Sequence, residues 1–385
     1  MTAAVGFFVD TGARDEPRSL MGVSHFLEHM LFKGSARRSA EQVNRDFDSI
    51  GAKHNAFTSL EVTAYHASCL PEHLTRATEL VADLFRPSLR EADVNEERGV
   101  ILEEIAMYDD DPHSVLYEST MESYFGEVPL GHRVLGLPTT IRPMTASDLH
   151  TYFTTHYAAN NGVIAAAGKL DFDTLVAHVE RETADWPRVA PTRDATPVHS
   201  HEGRLALTSK KARRGYLLMA WPAPPQDDDS RRAASIAAFI LGGSDNSRLD
   251  WALVDKGIAE NVSCGVMPMD GTGVALADAT CDPDRLPEVE SVIRDEASRL
   301  RDTLSEGELL RAKARVNTAA VFAGERPSGR MKRLGRHVAA LGTYASLDDE
   351  VAKIDALTLN DLRDVLDHWP MQPRCVGTMV PEAGV

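Results

Sequence analysis

Long apolar runs are missing from this chain. Nowhere in its 385 residues is there a stretch of the roughly 18–20 apolar residues that a membrane-spanning helix needs. Basic charge is scarce as well. Lys and Arg number 41 against 58 Asp and Glu, a formal charge of −17, which argues against the broad basic surface that nucleic acid or an anionic membrane would select. Cysteine is rare, and Cys69, Cys264, Cys281 and Cys375 form no Cys-x-x-Cys pair. Neither a disulfide framework nor a cysteine zinc site is indicated, and the four read as buried or incidental thiols in a reducing cytoplasm. The first residues lack the basic and apolar regions of a secretory signal. The expectation is a cytoplasmic protein with no nucleic acid and no membrane among its partners.

What is present is ordinary for a globular protein: 43% hydrophobic and 26% charged residues. The length exceeds what one hydrophobic core organises, so two domains are expected. Residues 183–203 hold three prolines and no apolar period. They predict a linker at 186–202 between domains at 1–185 and 203–385. The two halves share a faint plan. Near the start of each comes an apolar strand-like run, Val5 to Val9 and Tyr216 to Ala220, followed by a turn or loop and a helix from about Gly22 or Ser230. Late in each come another helix and a short strand, Gly162 to Ala167 and Cys375 to Val380. That order predicts two α+β domains related by duplication.

The chemistry is concentrated in Gly22 to Phe32, which has helical periodicity. Val23, Leu27, Met30 and Leu31 form an apolar stripe, and Gly34 sits where a C-cap would. On this helix His25 and His29 lie one turn apart on one face, so both imidazoles can reach one cation. Glu28 stands beside them, free to take a proton from water. Residues 91–108 predict a second amphipathic helix with Val94, Ile101, Ile105 and Tyr108 as buried candidates. Asn55 to Ala67 predicts a strand pair or one long strand. A catalytic zinc needs a third protein ligand. Glu97 and Glu104, seven residues apart, share a helix face, but spacing alone leaves Glu96 and Glu103 equally open. The remaining histidines, His54, His66 and His73 among them, read as core or surface residues.

Several runs together resemble the pitrilysin or mitochondrial-processing-peptidase family of zinc peptidases, especially its small two-domain members. They are Thr11 to Pro17, His25 to Gly34, Asn55 to Ser59, Glu97 to Ile105, Asp110 to Pro112 and Gly131 to Gly136. The resemblance covers nearly the whole chain. It implies an α+β fold of two duplicated α/β sandwiches, each a mixed sheet with helices on it, joined by a linker and forming half of a clam-like chamber. It implies one zinc per chain on His25, His29 and Glu104, with Glu28 as catalytic base and Glu97 supporting the site. Asn55, Ala56 and Phe57 become a sheet edge where substrate backbone adds as a strand. The activity implied is endopeptidase cleavage of extended or small peptides, including leader processing.

Two departures from the family pattern stand out. Members supply an Arg and a Tyr from the second half to hold the substrate carbonyl, just after a Gly-Ser-Arg-Leu-like run. Here Gly242 to Leu249 leads to Val254 near the Arg position and Glu260 at the Tyr position. The implication is a heterodimer whose related partner brings the Arg/Tyr pair, with a homodimer as the alternative. Family members also carry a further strand and turn ahead of the segment matching Ala4 to Asp10, and a missing strand would leave a sheet edge unpaired. Other readings are a catalytically silent subunit of a larger complex and a zinc hydrolase acting on a non-peptide amide. The intact set of four polar residues argues against the first.

Overall fold

The computed structural model describes residues 2–189, 193 and 198–382, so much of the expected linker, at 190–192 and 194–197, lies outside the described residues. Along the chain, β1 (Ala3–Val9) leads to α1 (Val23–Leu31), α2 (Ala40–Ser49), β2 (Lys53–Thr58) and β3 (Thr63–Cys69). Then come α3 (Leu74–Leu84), α4 (Glu91–Asp109), α5 (Pro112–Phe125), α6 (Pro138–Ile141), α7 (Ala146–His156), β4 (Gly162–Gly168) and α8 (Phe172–Thr183). The second half runs β5 (Gly203–Ser209), β6 (Gly215–Pro222), α9 (Arg231–Gly242), β7 (Asn261–Met269), β8 (Thr272–Cys281) and α10 (Leu286–Thr303). It closes with α11 (Glu306–Glu325), α12 (Pro327–Leu341), α13 (Leu347–Ala356), α14 (Leu359–His368) and β9 (Cys375–Pro381). Among the described residues no helix is long and apolar enough to cross a membrane.

These elements form two compact units that are not the contiguous halves expected. One comprises Met1–Ile105, His132–Asp194 and Val321–Ala345; the other comprises Ala106–Gly131, Ala195–Ala320 and Ser346–Val385. In the first unit the sheet order is β2-β3-β1-β4, antiparallel throughout. In the second it is β5-β9-β6-β8-β7, where β5 and β9 run parallel and the other pairs antiparallel. Among the described residues no strand lies outside β4 to match β5.

The exchange of segments follows from strand composition. β1 is buried at all seven positions, so its sheet needs apolar cover on both faces. Val5, Phe7 and Val9 join the core made by α1, α3 and α4, whereas Ala4 and Phe8 meet Met331 of α12. In the second unit Leu217, Met219 and Trp221 face α9, α10 and α14, while Leu218 meets Leu116 of α5. Each sheet is therefore covered on one face by a helix drawn from the other half of the sequence. That is why a boundary placed by the proline-rich stretch divides the chain differently from its cores.

The β-rich run is a strand pair, β2 and β3, one of the two forms expected. Two other local expectations are adjusted. Helix α1 has its C-cap at Phe32, and Gly34, with φ of +109°, follows two residues on. Tyr108, expected on the buried side of α4, is exposed near that helix's end, whereas Val94, Ile101 and Ile105 are buried. The four cysteines are buried and free.

Helix α12 can approach the sheet closely because position 335 carries no side chain. A Cβ on Gly335 would lie 2.1 Å from Phe8 Cε2. Gly335→Ala should cost about 1–3 kcal/mol of stability through overpacking. An unchanged urea midpoint would show that α12 does not hold this position.

Candidate metal centre

Helix α1 is an apolar wedge with a polar upper side. Val23, Phe26, Leu27, Met30 and Leu31 are all at most 1% exposed. Its N-terminus is fixed in two ways. Gly22 precedes it with φ of +93°, a left-handed conformation that strains other residues. The buried carboxylate of Glu16 then accepts the backbone N–H groups of Gly22 at 2.7 Å and Ser24 at 2.8 Å. Those are orphan donors at the positive end of the helix dipole. Burial pushes Glu16 up to about 8, against the pull of these two donors. The Ser24 hydroxyl is in turn 3.0 Å from Tyr152 Oη.

His25, His29 and Glu104 each turn one ligand atom toward a common point, all within 4.8 Å of one another. Glu104 Oε2 is 3.8 Å from His25 Nε2 and 3.6 Å from His29 Nε2. Those gaps are too long for hydrogen bonds. They are close to the separation of about 3.3 Å between donors that tetrahedral zinc requires at its usual bond lengths. Among the described residues no other group of His, Cys, Asp or Glu converges in this way. Of the glutamates that spacing left open, Glu96 and Glu103 are exposed on other sides of α4.

The electrostatics suit a divalent cation. Burial, with the charge of His29 adding, pushes His25 down to about 3, so its ring is neutral and ready to donate a lone pair. His29 Nδ1 is 2.8 Å from Glu97 Oε1. An Nδ1–H donated to that carboxylate leaves Nε2 as the free donor atom. Burial pulls the His29 pKa down, but the Glu97 hydrogen bond and the surrounding carboxylates outweigh it and hold the value up. Glu97, 5% exposed, is also ion-paired to Lys33. Burial raises its carboxyl, and the hydrogen bonds from His29 and Lys33 bring it below the usual range.

Glu28 accepts a hydrogen bond from Thr58 Oγ1 at 2.7 Å. Burial raises its pKa despite Thr58 and His29, toward the range useful in a general base. Thr58 belongs to β2, the outermost strand of its sheet, which pairs with β3 on one side. Asn55 and Phe57 alternate there with buried Ala56, and the edge beyond them is free among the described residues. Sequence reasoning does not single out Thr58, Lys33 or Glu16. Lys33 stands four residues after His29, in the turn just past the end of α1, a spacing the sequence shows; Glu16 and Thr58 carry no such signal. His54, read as a core or surface residue, is half-buried and stacks on Phe47 at 4.2 Å. In the second unit Val254 ends a π-helical turn, Asp250–Val254, and Glu260 pairs with Arg214, so neither position offers an Arg or a Tyr.

Residues 1–137 match the family Insulinase (Peptidase family M16), and residues 143–316 match the Peptidase M16 inactive domain. A Streptomyces coelicolor protein named as an uncharacterized zinc protease is 32% identical over 385 residues, 96% of this chain and 83% of its own. One from Mycobacterium tuberculosis is 33% identical over 374 residues, 95% of this chain and 85% of its own. Among solved structures, a protease from Helicobacter pylori superposes with a TM-score of 0.91 at 18% identity, covering 99% of this chain and 94% of that one. A peptidase M16 inactive domain from Pseudomonas fluorescens gives 0.88 at 18% identity over 99% of this chain and 93% of its own. The two-domain fold is shared with these structures, and the chain belongs to peptidase family M16.

The depressed pKa of His25 has a consequence for the metal-free protein. Folded, the imidazole binds a proton more weakly than its ordinary value of 6.5. Between 6.5 and about 3 the unfolded chain therefore holds more protons, and stability falls as the pH drops through that window. Urea unfolding of metal-stripped protein should show a steeper loss for wild type than for His25→Gln. Equal slopes would contradict the burial of a neutral His25.

Proposed function

We propose that this chain is the metal-bearing subunit of a zinc-dependent endopeptidase that cleaves extended peptides. The observation that carries the reading is the convergence of His25 Nε2, His29 Nε2 and Glu104 Oε2 beside the raised carboxyl of Glu28. The donor set is that of a catalytic zinc with three protein ligands and an open position. Zinc held there would polarise a carbonyl and acidify water at neutral pH.

The chain's own residues supply the rest. Glu28 is placed to accept the proton of the attacking water on a carboxylate oxygen and to return it to the leaving amine nitrogen. The Thr58 hydroxyl holds one of its oxygens and thereby orients the other. Glu97 keeps His29 in the tautomer a metal requires. The free edge of β2, at Asn55, Ala56 and Phe57, binds substrate backbone as an added strand with little regard for side chains. The absence of an Arg or Tyr at Val254 and Glu260 supports division of labour. A related M16 subunit would bring that pair and close the chamber around the peptide, in a heterodimer rather than a homodimer. Leader or precursor peptides are substrates that fit this scheme.

Glu28→Gln should keep zinc, measured by atomic absorption, and lose about 10²–10⁴-fold in cleavage of a fluorogenic peptide. Ala at His25, His29 or Glu104 should lose the metal itself. A Glu28→Gln protein as active as wild type would remove Glu28 from the mechanism, and zinc-loaded wild type that cleaves nothing with or without a partner would favour a silent subunit. The purified chain alone should be slow and should gain activity when a related Arg/Tyr-bearing subunit is added. Full activity from the homogeneous chain would end the partner hypothesis.

A further inference from the structure

The charge of −17 conceals a local excess of the opposite sign. Between residues 326 and 346 stand Arg326, Arg330, Lys332, Arg333 and Arg336, with no Asp or Glu. Most of this run is α12, whose Met331 and Gly335 press onto the sheet face opposite the metal helix. Several arginines elsewhere are answered by carboxylates. Arg38 is paired with Asp46, Glu79 and Asp83, Arg232 with Glu350, and Arg248 with Glu308. Arg336 and Lys332 have no carboxylate at ion-pair distance among the described residues. They lie instead over the ring of Phe57, with Arg336 Cζ 4.5 Å and Lys332 Nζ 5.8 Å from its centroid. Burial, with the field of Lys332 adding, pushes nearby His66 down to about 4.

Phe57 sits on the edge strand β2, one residue before the Thr58 that holds Glu28. Side chains on this strand alternate. His54, Ala56 and Thr58 face the α1 side, whereas Phe57 faces α12. A peptide added along β2 must alternate in the same way, so every second side chain projects toward Phe57, Arg336 and Lys332.

We infer that Arg336 and Lys332 form a specificity subsite that selects peptides with an acidic side chain close to the scissile bond, on the residue that points away from the metal helix. This rests on β2 being the substrate edge. A carboxylate there would meet an exposed guanidinium with no carboxylate partner among the described residues, held over the ring of Phe57.

The test separates this inference from the peptidase reading by using binding rather than turnover. Zinc-loaded Glu28→Gln protein is titrated with fluorescent peptides in which a single Glu or Gln is scanned along an otherwise neutral sequence. At one register the Glu peptide should bind about 3–10-fold more tightly than its Gln twin, with the ratio shrinking as salt is added. The ratio should collapse in Arg336→Ala and turn in favour of a Lys peptide in Arg336→Glu. Ratios near one at every register, no binding of either peptide, or a preference that survives Arg336→Ala would overturn it. Wild-type protein that cleaves none of these peptides would count against the peptidase reading, while the binding ratio still decides the subsite.

Discussion

The hydrogen bond from His29 Nδ1 to Glu97 Oε1 joins helices from distant parts of the sequence, and the geometry of the candidate centre follows from it. Glu97 is almost wholly buried on α4, and a buried carboxylate is tolerable only when paired and hydrogen-bonded. Its partners, His29 and Lys33, both come from α1 and the turn that follows. Meeting them fixes the rotation of α4 about its own axis. Two turns further on, the same face brings Glu104 to the two imidazoles, while Glu96 and Glu103 are turned away. One buried charge thus sets the tautomer of the second histidine and the identity of the third donor together.

The apolar residues provide the force, and the polar ones choose the register. Val23, Leu27 and Leu31 would bury equally well with or without a histidine beside them. The second unit makes the point by repetition. Its helix α9 follows β6, the strand whose place in the sheet order matches that of β1, and buries Ala233, Ile236, Ala237, Ile240 and Leu241 with no histidine at all. The scaffold is the same kind of sheet-and-helix sandwich, so the fold supports a metal site without requiring one.

Much of this is legible in the amino-acid sequence. The period of α1, its two histidines and Glu28 declare themselves within a single turn, because helical spacing converts directly into shared direction. The apolar strands at Val5 to Val9 and Tyr216 to Ala220 are visible for the same reason. Glu104 is not separable from Glu103 and Glu96 by spacing, since the choice depends on how α4 is rotated against a helix some seventy residues earlier in the chain. Resemblance, not periodicity, decides it. The role of Glu16 is hidden because a residue that caps a helix from six residues away leaves no pattern. Tyr108 departs from its amphipathic pattern because its helix outruns the core beneath it. The exchange of α5 and α12 cannot be read either, as amphipathic periodicity reveals that a helix needs an apolar neighbour and not which sheet provides it.

That exchange has a bearing on what a break in the chain would do. A nick in the proline-rich stretch after Trp186 would yield two fragments, neither of which owns a complete core. The first would carry α5, which shields the second sheet, and the second would carry α12, which shields the first. Such fragments would be interlocked parts rather than separable modules, each with an uncovered apolar sheet face when isolated. Proteolysis or gene fission at this point would therefore leave a bipartite protein whose pieces depend on one another to fold, although the cut falls where the sequence looks most like a seam.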